Sequence, residues 1–309
     1  MIFDRACVCV PARDEAERLP GLLASLAAQE PGQRLPVVLL LNNCVDATAD
    51  VARICAATYR DQLSLRIVER NYEVGDDHVG TARREAMALG AGWLRDLGGA
   101  DPVLLTTDAD AVAPPGWVAA NLAAIDDGAD VVGGYLMLDP LEGERDPVLA
   151  RMDAAYGEYW RLVRALADRD APDADDPPPR HGDHTGGSLA VRLAWHDRVG
   201  GVPSLPVRED VEFVRRLVAA GARLRHPTAV TMHVSARTVG RAAGGMADEI
   251  KRRDQAARVG TIPLVPGALA WQHAFAEGRA VEASELAHDT DLLVAIRDLR
   301  AMVFTEAFA

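Results

Sequence analysis

Two aspartates separated by one alanine, Asp108-Ala109-Asp110, follow the apolar run 102–107. Carboxylates two apart on a turn leaving a strand can face one divalent cation. Hard oxygen ligands suit Mg²⁺ or Mn²⁺, which complete their shells with water and phosphate oxygens. In isolation the same pair reads as an ordinary solvated turn. Two further clusters give it weight. The apolar run 6–11 ends in Pro11-Ala12-Arg13-Asp14-Glu15, and the run 36–41 is followed by Asn42-Asn43-Cys44-Val45-Asp46. An open parallel sheet gathers its strands' carboxyl ends along one edge, and ligands bind there.

The elements that must position these clusters are legible as alternating strands and helices. The apolar runs at 6–11 and 36–41 read as buried strands, and 63–68, 102–107 and 129–138 as further strands. Between them, Leu19, Leu22, Leu23 and Leu26 recur at helical spacing behind Pro20, a favoured first-turn residue. Asp46 is placed to cap a second helix carrying Val51, Ile54 and Cys55. Val79, Ala82, Ala86, Leu89, Trp93 and Leu97 mark a longer amphipathic one. Apolar strands alternating with such helices imply the α/β class, with a mostly parallel central sheet flanked by helices. In the second half, 151–167 reads as helix, 185–191 and 222–234 as extended, and 210–220 as a helix closed by Gly221. The segment 168–179 (DRDAPDADDPPP) reads as an irregular, solvated loop. From Arg237 on, the chain is Gly-rich and then mainly helical.

Composition bounds the function. Of 309 residues, 33 are basic and 46 acidic, a net charge of −13. That balance argues against nucleic-acid binding, which needs a basic face, and against adhesion to anionic membranes. No apolar stretch approaches the roughly 20 residues of a membrane span. Residues 1–5 run straight into the first strand without a signal-peptide pattern. Cys7 and Cys9 lie on one face of one strand, a poor geometry for a mutual disulfide. With Cys44 and Cys55 they read as reduced thiols, and the expected compartment is the cytoplasm.

Seven motifs in order, P-A-R-D-E, N-N-C-V-D-A-T, G-T-A-R-R, D-A-D-A, H-T-G-G-S, R-E-D-V-E and H-V-S-A-R, span residues 8–237. Together they resemble glycosyltransferase family 2 and its GT-A fold. The resemblance implies transfer of a sugar from a nucleotide-diphosphate donor, with a divalent metal and inversion at the anomeric carbon. It implies a GT-A catalytic domain over 1–235, with a donor half to about 138, an acceptor half from about 139, and a helical C-terminal extension over 236–309. By the resemblance, Asp108 and Asp110 hold the metal and His233 completes its site. Asp210 of the Glu209-Asp210 pair is the general base. Gly186 and Gly187 form a loop beside donor and acceptor, where missing side chains let the sugar approach backbone. Arg83 reaches the nucleotide or diphosphate, and Arg237 and Arg241 clamp phosphate. Pro11, Arg13, Glu15 and Asn42 through Asp46 surround the nucleoside.

Two departures narrow the expectation. Many relatives carry an acidic pair where this chain has Leu41-Asn42, and one of those acids reads the uracil imide N–H. Asn42 can still accept through its amide oxygen, so UDP is the first choice, with GDP or dTDP open. The Q-x-x-R-W motif and membrane helices of processive members are absent, which fits addition of a single sugar to a small-molecule or glycan acceptor. The C-terminal helices either cover the catalytic domain or form a homodimer interface. The competing readings are a nucleotidyltransferase, whose G-x-G-T-R loop is missing after the first strand, and a non-catalytic nucleotide-sugar sensor.

Overall fold

The computed structural model describes residues 2–30, 32–139, 146–235, 237, 246–277 and 283–304. A 3-10 turn, Ile2–Arg5, leads into β1 (Ala6–Ala12). There follow α1 (Leu19–Ala27), β2 (Leu35–Asn42), α2 (Thr48–Thr58), β3 (Leu63–Arg70), α3 (Val79–Leu97) and β4 (Val103–Thr106). Next come α4 (Trp117–Asp126), β5 (Val131–Gly133), β6 (Tyr135–Leu138) and α5 (Pro147–Asp170). Then come β7 (Leu189–Arg192), α6 (Leu193–Arg198), α7 (Glu209–Ala219), β8 (Leu224–Arg225) and β9 (Thr231–Val234). The remainder is α8 (Met246–Arg258), β10 (Leu264–Val265), α9 (Ala268–Ala276), β11 (Thr290–Asp291) and α10 (Leu292–Phe304).

The central sheet has seven strands in the order β3-β2-β1-β4-β7-β5-β8. β1 pairs in parallel with β2 and β4, and β2 with β3, while β7 runs antiparallel to both β4 and β5. Every residue of β1, β2 and β4 is buried, as strands covered on both faces require. β3, at the edge, is only partly buried. Leu19, Leu22, Leu23 and Leu26 of α1 pack on one face of the sheet. On the other, Ala82, Ala86, Met87, Ala91 and Leu94 of α3 pack against the side of β1 that carries Cys7 and Cys9. Gly90 of α3 is forced by this contact, since a Cβ there would sit 2.5 Å from the Cys9 sulfur.

The structure departs from the expected elements in several places. The expected strand 129–138 breaks at Gly133-Gly134. A Cβ on Gly133 would collide with the Asp183 carbonyl, and one on Gly134 with the Ser188 side chain. The chain bends there, so β5 stays in the main sheet and β6 pairs in parallel with β9 in a separate two-stranded sheet. Helix α4 is a new element; its first turn is entered through Gly116, at φ 79°. Asp46 does accept from the Thr48 amide at 2.9 Å, but it stands one residue ahead of the N-cap position, Ala47. Finally, α5 continues to Asp170, and 168–179 is not simply solvated. Arg180 donates to Asp168 at 2.7 Å and Asp176 at 3.1 Å, and Asp176 is buried.

The chain divides into two compact units, 1–142 with 182–236 and 240–245, and 143–181 with 237–239 and 246–309. Residues 146–181 therefore group with the C-terminal helices rather than with the sheet. The helical unit has its own core of Tyr159, Leu162 and Leu166 from α5, Trp271 from α9, and Leu292, Ile296 and Leu299 from α10. The buried Tyr159 hydroxyl donates to the Pro266 carbonyl and accepts from the Trp271 indole, both at 2.8 Å. The four cysteines are unpaired thiols. Among the described residues no helix is long and apolar enough to cross a membrane.

Candidate active site

Because β1, β2 and β4 are parallel neighbours, their polar ends fall on one edge of the sheet. At the ends of β1 and β2 the two clusters lock together. Asp14, at φ 52°, accepts from the amides of Val45 at 2.8 Å and Asp46 at 3.3 Å. Asp46 accepts from the Ala16 amide at 3.2 Å, and Thr48 Oγ1 accepts from the Glu15 amide at 2.8 Å. Glu15 is buried, as is Pro11, which lies opposite Leu40. These contacts fix the loops with side-chain and backbone groups that need no ligand.

Arg13 and Asn42 converge on a residue the sequence reading left out, Asp77. Its carbonyl accepts from Arg13 Nη1 at 2.7 Å and from Asn42 Nδ2 at 3.2 Å, and its carboxylate takes a second Arg13 contact at 3.0 Å. The Arg13 hydrogen bond, with the Gly75 amide, holds the Asp77 carboxyl below its ordinary range. Donating through Nδ2 fixes the orientation of the Asn42 amide. Its Oδ1 is then a buried acceptor with no hydrogen-bond partner among the described residues. Asn43, at φ 50°, exchanges hydrogen bonds with the Tyr72 backbone, both at 3.0 Å. The segment 72–78 before α3 is thereby pinned to the end of β2.

The centre of the edge is organised by Arg83 in the second turn of α3. Its side chain is 4% exposed. Nε donates to Glu209 at 3.0 Å, Nη1 to Thr106 Oγ1 at 2.8 Å and the Gly186 carbonyl at 3.0 Å, and Nη2 to Asp108 at 2.7 Å. Burial alone would lower the Arg83 pKa, but the carboxylates of Asp108, Glu209 and Asp210 outweigh it and hold the guanidinium charged. Glu209 is also buried. Burial, aided by neighbouring Asp210, raises its pKa against the pull of Arg83. Asp210 opens α7 beside it and accepts from the Gly186 amide at 2.6 Å. Thr107 donates to the Gly187 carbonyl at 2.8 Å, and the Trp117 indole to Ser188 Oγ at 2.9 Å. Three expected motifs are thus joined: the glycine loop directly to Asp210, and the D-x-D turn, the glycine loop and Glu209 through Arg83.

The glycines have a local reason to be small. A Cβ on Gly186 would sit 2.6 Å from the Arg83 guanidinium carbon, and one on Gly187 3.0 Å from Leu136 and 3.5 Å from Asp108. The backbone of His233 exchanges hydrogen bonds with Val112 at 2.8 and 3.1 Å, which sets it beside the turn after Asp110. That turn is closed by the Ala111 amide on the Asp108 carbonyl at 3.3 Å. Among the described residues no three His, Cys, Asp or Glu side chains converge as a metal cage. Asp108, 41% exposed at its side chain, and the half-buried Asp110 nevertheless fit the donor set of Mg²⁺ or Mn²⁺. Those ions bind through one or two carboxylates and complete their shells with phosphate and water. Arg237 is half-buried and belongs to the helical unit, and Arg241 lies outside the described residues.

Thr106 and Asp77 carry much of this network, although no motif in the sequence marks them. Two threonines closing an apolar run were a usable signal, because a buried hydroxyl needs a partner.

No curated protein matches the chain in sequence. Among solved structures, the Pyrobaculum calidifontis mannosyltransferase PcManGT, in complex with GDP-Man and Mn²⁺, is similar with a TM-score of 0.53 at 18% identity. The match covers 99% of this chain and 75% of that one. S. aureus TarS is similar at 17% identity and a TM-score of 0.51, over 75% of this chain. Its 1–349 fragment with UDP-GlcNAc gives 17% and 0.52, over 82%. The chain spans 36% of the longer TarS structure and 66% of the fragment. At these identities the likeness shows the GT-A fold. Residues 5–253 match the family model "Glycosyltransferase like family 2". With the D-x-D turn, the glycine loop and the E-D pair assembled on one sheet edge, the chain belongs to glycosyltransferase family 2.

Proposed function

We propose that this enzyme moves one sugar from a nucleoside-diphosphate donor to an acceptor hydroxyl with inversion, Asp210 serving as general base. The observation that carries the reading is the position of Asp210. Its carboxylate is anchored on the Gly186 amide, and its neighbour Glu209 is tied through Arg83 to Asp108. In the reaction the acceptor oxygen bonds to the anomeric carbon as the carbon–oxygen bond to the diphosphate breaks. The hydroxyl proton passes to Asp210, and the diphosphate leaves with the bonding electrons. Asp108 and Asp110 would hold a Mg²⁺ or Mn²⁺ ion, which would supply positive charge for the departing diphosphate; the side chain of His233, expected as a third ligand, does not converge with the two carboxylates.

Pro11, Arg13, Glu15, Asn42 and Asp46 surround the nucleoside in this reading. The unpartnered Asn42 Oδ1 supports a base that offers an imide-type N–H, as uracil, thymine and guanine do. UDP is the first choice; the Mn²⁺ and GDP-Man of PcManGT keep GDP among the arms of the test. The four unpaired thiols support a reducing compartment. A thermal-shift panel of UDP-, GDP- and dTDP-sugars, each with and without Mn²⁺, tests the donor. A donor at 100 times its Kd stabilises by about 2.7 kcal/mol. The expected result is a shift with a UDP-sugar that requires the metal. No shift with any donor in the presence of metal overturns the reading. NMR of the product anomer tests inversion.

A further inference from the structure

A guanidinium has five N–H donors. In Arg83 four hydrogen bonds run to Glu209, Thr106, Gly186 and Asp108, and almost none of the side chain reaches solvent. Thr106 passes the chain onward, its hydroxyl donating to the Cys9 carbonyl at 2.8 Å inside the sheet. The space left by the absent Gly186 side chain is occupied by the guanidinium, not held open for a sugar. The family resemblance places Arg83 on the donor's nucleotide or diphosphate; this geometry gives it other work.

We propose that Arg83 is a positioning residue, an internal strut that sets the base helix, the glycine loop and the D-x-D turn relative to one another without touching the donor. The proposal rests on the reading of Asp210 as base. The strut acts through three partners. Through Glu209 it fixes the first turn of α7, which carries Asp210. Through the Gly186 carbonyl it fixes the peptide whose amide holds Asp210. Through Asp108 it fixes one oxygen of the carboxylate turn. Planarity matters here, because a fork can bond in three directions from one fixed plane and an ammonium cannot. It also balances charge, as one buried cation stands among Asp108, Glu209 and Asp210. Without it Glu209 is left buried beside Asp210 and takes up a proton at higher pH.

The test compares the full-length enzyme with Arg83→Met, Arg83→Lys and the charge-balanced Arg83→Met/Glu209→Gln. Calorimetric titration with UDP in the presence of Mn²⁺ measures donor-side binding, and turnover at saturating donor measures kcat. The expected result for Arg83→Met is UDP affinity within about threefold of wild type and kcat lower by at least 100-fold. Arg83→Lys restores little of the kcat. A tenfold or greater loss of UDP affinity with kcat near wild type shows a diphosphate ligand and overturns the strut. Melting measured between pH 8 and pH 6 is the readout independent of donor. Arg83→Met gains stability on acidification relative to wild type as Glu209 protonates, and Arg83→Met/Glu209→Gln lacks that gain. Identical pH dependence in the two variants also overturns the strut. If wild type itself does not bind UDP with Mn²⁺, the donor reading fails, and the melting pair still decides the strut.

Discussion

Replacing Thr106 by valine removes one oxygen from the centre of the site and almost nothing else. Thr106 is fully buried, its hydroxyl accepting from Arg83 and donating to the Cys9 carbonyl, both at 2.8 Å. Valine keeps the shape. It leaves one charged N–H and one carbonyl lone pair short of a partner, a cost of about 3 kcal/mol. The extra buried methyl returns about 1 kcal/mol. The net loss of about 2 kcal/mol corresponds to a fall in Tm of about 4–8 °C for a domain of this size. Because the same hydroxyl holds the guanidinium that carries Asp108 and Glu209, kcat should fall about tenfold with it. Thr106→Ser is the control. It keeps the hydroxyl and loses one methyl, so Tm falls by about 2–4 °C and kcat stays within about twofold. Differential scanning calorimetry and a donor-saturated rate measurement suffice. A Thr106→Val enzyme that melts within about 1 °C of wild type and turns over at the same rate would refute the claim that Thr106 holds Arg83.

The other expectations follow from single contacts. Asp108→Asn and Asp110→Asn should each weaken Mn²⁺-dependent UDP binding by about tenfold or more, read by calorimetry; unchanged binding in both removes the cation from this turn. Gly90→Ala should lower stability by about 1–3 kcal/mol in a denaturant melt, because the new methyl meets the Cys9 sulfur at 2.5 Å; Gly90→Ala/Cys9→Ala should recover part of the loss, and no recovery means the clash lies elsewhere. His196 is buried against Phe213, and burial lowers its pKa despite the Asp197 hydrogen bond. The unfolded chain therefore binds the proton first, and stability is lost as pH falls below the ordinary histidine value of about 6.5. Glu209, with its pKa raised, works in the opposite sense over the mildly acid range, so the measurement is the difference between wild type and His196→Gln. Wild type should lose more Tm between pH 7.5 and pH 5.5, and equal losses contradict the assignment.

The strands of the central sheet were legible because burial on both faces writes a continuous apolar run, as in β1 and β2. The breaks were not. Gly133-Gly134 reads as two tolerable glycines in a strand, and only the crowding by Asp183 and Ser188 shows why the chain must bend there. Helix α4 was missed because its alanines and apolar residues give little contrast between faces, although Pro114-Pro115-Gly116 marks its entry. The grouping of 146–181 with the C-terminal helices depends on pairings such as Tyr159 with Trp271, more than a hundred residues apart, which no local pattern encodes. In the site, motif order identified Asp108, Gly186, Glu209 and Asp210 as neighbours, and the structure brings them together. It did not reveal that Arg83 is what joins them, since an arginine on a helix looks the same whether it faces solvent or the carboxylates of Asp108 and Glu209. Asp77 stayed hidden because its main contribution is a backbone carbonyl, and that is blind to residue type.

The central claim is that the site transfers sugar with Asp210 taking the acceptor's proton. Asp210→Asn is the sharpest test, because the amide keeps the shape and one of the two acceptors, which receive the Gly186 and Val211 amides, while losing the basicity. Turnover and UDP binding with Mn²⁺ are measured on the same preparation. UDP affinity should stay within about threefold of wild type, and kcat should fall by at least about 1,000-fold. An Asp210→Asn enzyme that turns over at the wild-type rate contradicts it.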